Sequence, residues 1–277
     1  MQISILGYGS YGSALGQHLE NNNHEIIKEK VEGSDFVFVT VPSFAVLEVL
    51  RKEKENLGNK KIVICSKGFA TEGELLSTIL EKEFSNRFYF LYGPSLASEL
   101  KEKNTCFILL AGGEGLEEIK NLLESPYMHI ELSADIVGAQ VGATLKNVAN
   151  IFLGYCIGAS LGENTQALVF VKAFREIQKI GLALGAEKET FVGPACLGDM
   201  YLNSRHRKIG VELGKGGDLA EILKTLPYSP EGFINLDNLK KLAEKKNIKI
   251  PFFEILVDLL DKKINIKEAI EKVLLLN

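Results

Sequence analysis

The sequence predicts an α/β fold: a truncated, doubly wound parallel sheet followed by an all-helical C-terminal domain. Three observations carry this. Apolar strand-like runs alternate with helical runs through residues 1–134, the pattern of βαβ units. Those strand-like runs are apolar throughout, as strands are when helices cover both faces of a parallel sheet. From about residue 135 strand-like runs become scarce and helical spacing continues to the end. The domains are therefore drawn at 1–134 and 135–277. The boundary is a shift in composition with no linker, so the two halves should share an interface. The crevice between them is the expected ligand site.

In order, "QISILG" is β-rich and runs into a turn, and "SYGSALGQHLENN" has helical spacing. "HEII" reads as a short second strand and "DFVFVTVP" as a continuous apolar one. The helical "SFAVLEVLRKEKENL" precedes the strand "KKIVICS", and the helical "EGELLSTILEKEFS" follows it. "FYFLYGP" and "TCFILLAGG" are further strands, with the helix "GEGLEEIKNLLES" after the second. Beyond residue 135, five segments read as helices: "DIVGAQVGATLKNVANIFLGYCIGASL", "NTQALVFVKAFREIQKIGLALG", "FINLDNLKKLAEKKN", "PFFEILVDLLDKK" and "NIKEAIEKVLLL". The longest apolar stretch, "NVANIFLGYCIGASLG", is bracketed by Lys146 and Glu163 and is too short to span a bilayer.

Composition narrows the function. The chain has 277 residues, 46% of them hydrophobic, which allows a sizeable core. A net charge of -4 argues against nucleic acid as the partner, since phosphate-backbone binders carry a basic excess. Cys65, Cys106, Cys156 and Cys196 lie far apart and form no CxxC pair, so they read as buried reduced thiols, and no metal site is expected. The N-terminus has no basic segment ahead of its first strand, and the expected location is cytoplasmic.

"SILGYGSYGSALG" places Gly7, Gly9 and Gly12 in G-x-G-x-x-G after a strand and at the start of a helix, the context in which the motif binds dinucleotides. Gly7 permits the tight turn, Gly9 the close approach of a pyrophosphate, and Gly12 the packing of helix on strand. Ser10 and Tyr11 lie inside the same turn. The helix N-terminus adds free N–H groups and a positive dipole end. The expected cofactor is NAD or NADP. The residue that would read the adenosine ribose lies about 20 positions on. Glu29 stands there between Lys28 and Lys30, and reads equally as a cofactor contact or a solvated charge cluster. Between "HEII" and "DFVFVTV" there is no room for a crossover, which needs about 10–12 residues. One edge strand therefore survives and the outer βα layer is gone. Weaker or less discriminating cofactor binding is expected.

At "GPSLASEL", "GATLKNVANI" and "LGDMYLNSRHRKIG" the chain resembles the bacterial NAD(P)-dependent glycerol-3-phosphate dehydrogenases. The glycine turn, "VPS", "SKG", "GPSLA", "LKNV", "GENT", "SRHR", "EG" and "IPFFE" follow in that family's order over nearly the whole length. The resemblance implies a Rossmann-like domain and a helical one, and interconversion of sn-glycerol 3-phosphate and dihydroxyacetone phosphate for phospholipid synthesis. It implies that Lys67 lies by cofactor and substrate, that Gly93 and Ser95 line the substrate site, and that Ala97 lies on the nicotinamide side. Lys146 would be the catalytic acid/base with Asn147 beside it, and Asp199 would touch the substrate or hold Lys146. Ser204, Arg205 and His206 would grip the phosphate, and Glu231 would meet the cofactor.

The residues carry part of this independently. Lys146 stands in an otherwise apolar helix, where burial and a second cation such as Lys67 would lower its pKa towards that of a useful base; it also reads as a lysine snorkelling from a helix end. Arg205, Arg207 and Lys208 form a basic cluster in an acidic chain, suited to a phosphate, and also read as a solvated helix start. "SRHR" before an apolar helical pattern would put a helix N-terminus beside the phosphate.

There are departures. The outer nucleotide layer is missing. Only "MYLN", with Asn203, separates Asp199 from Ser204. Gln140 stands where an acidic residue is common in the family. His206 replaces an asparagine, and a protonatable grip would make substrate binding sensitive to pH. Two other readings remain: a reductase for another small acid or ketone, such as a β-hydroxyacid or ketopantoate, and a non-catalytic sensor that lost its cofactor with the deleted layer. The expected partner is a small phosphate substrate, with a second copy of the chain as a candidate cover for the bare sheet edge.

Overall fold

The computed structural model describes residues 1–226 and 230–277. Seven strands form one sheet: β1 (Gln2–Leu6), β2 (Glu25–Lys28), β3 (Phe36–Val39), β4 (Lys61–Ile64), β5 (Phe88–Tyr92), β6 (Cys106–Ala111) and β7 (Met128–Ser133). Their order is β2-β1-β3-β4-β5-β6-β7. Strands β2 to β5 are joined in parallel around β1, β5 meets β6 antiparallel, and β6 and β7 are again parallel.

The apolar runs are long enough to be buried on both faces. Phe36 and Phe38 point into one core with Ile3, Ile5 and Leu15, while Val37 and Val39 point into the other with Leu6 and Leu50. This is the two-residue period of a strand read through a covered sheet. Two features depart from the sequence reading. The sheet is not wholly parallel, because β5 and β6 are linked by residues 93–105, which hold only the short helix Ala97–Lys101. And β7 was not expected: His129 and Glu131 face outwards between buried neighbours, so its sequence alternates and lacks a continuous apolar run.

The truncation is as expected. Residues 29–35 alone carry the chain from β2 to β3. They form a fastened strap. Val31 is buried, the Ser4 hydroxyl donates to the Lys30 carbonyl at 2.5 Å, and the Asp35 carboxylate accepts from the Gln2 N–H at 2.9 Å. β2 is left as a four-residue edge.

The second half is built round the helix Ile136–Gly158, most of whose residues are buried. Asp135 caps it, accepting from Gly138 N–H at 2.7 Å, and also ties down Glu187 N–H and the Thr190 hydroxyl. The helix Arg205–Gly214 lies so close that a Cβ at Gly154 or Gly158 would strike its backbone. Ala139 and Ala143 of the central helix belong to the sheet's core, while Leu145, Val148 and Phe152 belong to the helical one. Gln140 spans the two halves, accepting from Ser77 N–H at 3.0 Å and donating to the Ser77 hydroxyl at 2.6 Å. An amide serves both contacts; a carboxylate could only accept. No helix among the described residues is long and apolar enough to cross a membrane.

Candidate active site

A cavity of about 650 Å³ opens between the C-terminal ends of the parallel strands and the helical half. One wall is the glycine turn after β1. Gly7 sits at φ +96°, a conformation that favours glycine. A Cβ at Gly12 would fall on the Gly7 carbonyl oxygen, so the following helix can close on the strand only there. A Cβ at Gly9 would meet nothing within 4 Å. Gly9 is also the N-cap of the helix Ser10–Asn21, and no side chain caps that end. Open space over backbone N–H groups at a helix N-terminus is what a pyrophosphate requires, so the turn fits a dinucleotide.

At the outer end of this turn Glu29, itself in the left-handed region at φ 57°, folds its carboxylate back. One oxygen accepts from Gly7 N–H at 3.0 Å and the other from Tyr8 N–H at 2.6 Å. The Lys28 ammonium lies 4.5 Å from the centre of the Tyr8 ring. Glu29 is thus a placed group.

The centre of the cavity holds two lysines on one carboxylate. Asp199 follows the π-helical segment Pro194–Gly198, and its two oxygens lie 2.9 Å from Lys146 Nζ and 2.6 Å from Lys67 Nζ. Lys67, on the loop after β4, also donates to the Gly93 carbonyl at 3.0 Å. Lys146 is 4% exposed and Asp199 2%. Burial pulls Lys146 down to about 8; Asp199 opposes this and Lys67 adds to it. Burial pushes the Asp199 carboxyl up, and the two ammonium groups outweigh it and hold Asp199 below the ordinary carboxylate range. Lys146 is therefore a buried amine with a lowered pKa, not a lysine snorkelling to solvent.

At the other end stands the N-terminus of the helix Arg205–Gly214. Ser204 is its N-cap, its hydroxyl accepting from Arg207 N–H at 3.3 Å. Ser204, Arg205 and His206 line the cavity, with Asn147 and Leu202. Arg207 turns away: it donates to the Asn150 side-chain oxygen at 2.6 and 2.9 Å and to the Met200 carbonyl at 2.7 Å, fastening the helix to its neighbours. His206 overturns one expectation. Its Nε2 accepts from Gly232 N–H at 3.0 Å, which requires the neutral ring. Burial first, then Lys146 and Arg205, press its pKa down to about 3. It offers a neutral Nδ1–H donor, so protonation of His206 does not tune this pocket near neutral pH.

The remaining residues fall into two groups. Ser10, Tyr11, Ser95, Ala97 and Glu231 line the cavity. Glu231, from the helical half, accepts from Ser43 N–H at 2.5 Å and so bridges to the loop after β3. Gly7, Gly12 and Gly93 lie behind the wall and shape it. The sequence reading assigned no role to Thr40, Val41, Pro42, Cys65, Ser66 and Leu96, which also line the cavity. The signal was present: "TVPS" and "CSKG" sit at the carboxyl ends of parallel strands, where such sheets bind ligands.

Residues 26–115 match the family model described as the N-terminus of NAD-dependent glycerol-3-phosphate dehydrogenase, and residues 135–271 match its C-terminus. The chain is 27% identical to the glycerol-3-phosphate dehydrogenase [NAD(P)+] of Lactiplantibacillus plantarum, over 99% of this chain and 96% of that one. It is 28% identical to the enzyme of the same name from a Thermoanaerobacter species, over 98% and 96%. The alignment with the first spans 326 positions, more than the 277 residues here, so that relative carries segments this chain lacks. Among solved structures, the glycerol-3-phosphate dehydrogenase of Coxiella burnetii superposes with a TM-score of 0.89 at 25% identity, covering 99% of both chains.

Proposed function

The chain belongs to the NAD-dependent glycerol-3-phosphate dehydrogenase family, and on that premise we propose how its residues divide the interconversion of sn-glycerol 3-phosphate and dihydroxyacetone phosphate. One observation carries the assignment. A buried lysine with a lowered pKa lies in one cavity between a dinucleotide turn and a helix N-terminus bearing Ser204, Arg205 and His206.

The chemistry a bound cofactor would supply here is hydride transfer, given in reduction and taken in oxidation. Gly9, Ser10 and Tyr11 would hold the cofactor's pyrophosphate, and Ala97 and Glu231, which line the same cavity, would hold its nicotinamide end. Arg205 and the first N–H groups of its helix hold the substrate phosphate as a charge-assisted pair, and Ser204 and neutral His206 complete that end. Lys67, Ser95 and Asn147 orient the reacting end. Lys146 hands a proton to the C2 oxygen in reduction and takes it back in oxidation. A pKa near 8 suits both, since the group is neither locked charged nor locked neutral at working pH. Asp199 keeps Lys146 aimed and opposes the fall in its pKa that burial causes. Cys65 and Cys196 are buried, and burial holds both thiols protonated, so they lend no competing nucleophile.

The four free, buried cysteines support a cytoplasmic location. The unpaired edge of β2 supports a second copy of the chain as its cover. The activity is tested by following NADH and, separately, NADPH with dihydroxyacetone phosphate and with ketopantoate, and identifying the product. Formation of glycerol 3-phosphate with dihydroxyacetone phosphate alone is expected. Turnover with ketopantoate instead would move the protein to the other reductase class.

A further inference from the structure

We propose that Glu29 makes this protein select NAD over NADP, by holding a fixed negative charge where a 2′-phosphate would have to lie. The inference rests on the dinucleotide reading of the same site.

The end of the second strand is where a nucleotide-binding sheet reads the adenosine ribose: a carboxylate there takes the 2′-hydroxyl, and a nearby arginine accommodates a 2′-phosphate. Glu29 directly follows β2, and both of its oxygens are pinned by the Gly7 and Tyr8 N–H groups. The carboxylate is therefore oriented before any ligand arrives. Each oxygen keeps a second lone pair, and the residue is exposed, so two ribose hydroxyls can be accepted without disturbing the turn.

The segment that would supply a compensating cation has been cut to the strap 29–35. Its composition is acidic: Glu29, Glu32 and Asp35 against the single Lys30. Val31 is buried and Asp35 is held on Gln2 N–H. The other nearby cation, Lys28, lies over the Tyr8 ring, and among the described residues no ion pair joins Lys28 or Lys30 to Glu29. A 2′-phosphate carries a charge of about −1.5 to −2. Placed about 4 Å from a carboxylate, even in water-like surroundings, it is disfavoured by about tenfold or more. The deletion thus leaves the ribose contact as the main reader of the cofactor's adenosine half.

The test measures dissociation constants for NADH and NADPH by the change in their fluorescence on binding, and kcat/KM for each, in the wild type and in Glu29→Gln. The wild type should bind NADH about tenfold or more tightly than NADPH. In the variant the ratio should shrink towards one, with NADPH gaining. A role confined to pinning the glycine turn would weaken both cofactors alike and leave the ratio unchanged, which would overturn the proposal. So would a wild type that binds NADPH as tightly as NADH. A protein that shows the binding ratio but reduces no dihydroxyacetone phosphate would sink the dehydrogenase reading and leave this one standing. Equal affinities with full turnover would do the reverse.

Discussion

Replacing Asp199 by asparagine removes the negative charge between two buried ammonium groups. The shape is kept, but the amide NH2 must then face one lysine, donor against donor. In the native site Lys146 Nζ is 2.9 Å from one carboxylate oxygen. Two unit charges at that distance attract by about 6 kcal/mol at an effective dielectric of 20, an upper bound because relaxation and water return part of it. If about a third of that survives, Lys146 moves by more than one pKa unit, since a unit is worth 1.36 kcal/mol. Asp199 acts to raise Lys146, which titrates near 8 with the carboxylate in place. Without it the amine should titrate below about 7. In the direction of reduction the protonated amine is the donor, so activity falls as pH rises through its pKa. The alkaline limb of kcat/KM should therefore shift from near 8 to below about 7, and activity near pH 8 should fall by about tenfold, as the protonated fraction of Lys146 drops with a shift of somewhat more than one pKa unit. The assay is NADH oxidation by dihydroxyacetone phosphate from pH 5.5 to 9.5, with a thermal melt to confirm folding. A limb that stays near 8, or moves up, in a folded variant would refute the electrostatic argument.

Three further outcomes follow from the geometry. Arg205→Ala should raise KM for dihydroxyacetone phosphate by about 10–150-fold, the worth of a charge-assisted contact, while KM for NADH moves little in the same initial-rate assay. Gly12→Ala should destabilise the fold by about 1–3 kcal/mol, because its Cβ would fall on the Gly7 carbonyl; denaturant melts read this directly. Glu176 accepts from Phe252 and Phe253 N–H at 2.9 and 3.0 Å, and burial raises it to about 7 despite those bonds. The native state then binds the proton more tightly than the unfolded chain. Its contribution is present in full below about pH 4.5 and is lost as pH rises through 7, a change of about 3 kcal/mol that Glu176→Gln should flatten in unfolding midpoints measured across that range.

Much of the fold was legible because burial on both faces of the sheet wrote itself into β3, β4 and β5 as apolar runs, while β1 was marked by the glycine turn that follows it. The same signal hid the antiparallel step: a strand buried on both faces reads alike whichever way its neighbour runs. β7 hid for the opposite reason, since its outer face meets solvent and breaks the run at His129 and Glu131. The short connection after β2 was a matter of counting residues, and the strap 29–35 bears it out. In the site, the glycine turn announced itself locally. The lysine pair did not, because Asp199 reaches Lys67 across 132 positions of sequence, and only the order of the family's motifs brought them together. His206 shows what a motif leaves out: burial, Lys146 and Arg205 keep its ring neutral, and its Nε2 accepts from Gly232 N–H, 26 residues away. Glu29 was ambiguous between ligand contact and solvated charge until the two N–H groups that hold its carboxylate were seen.

The most direct test of the account is steady-state turnover of NADH with dihydroxyacetone phosphate by the wild type and by Lys146→Ala, each checked for folding. The wild type should turn over, and the variant should lose at least about 10² of that rate while still binding NADH. A folded wild type with no turnover at millimolar substrate and cofactor, or a variant as fast as the wild type, would contradict the assignment of Lys146 as the proton-transferring group of a glycerol-3-phosphate dehydrogenase.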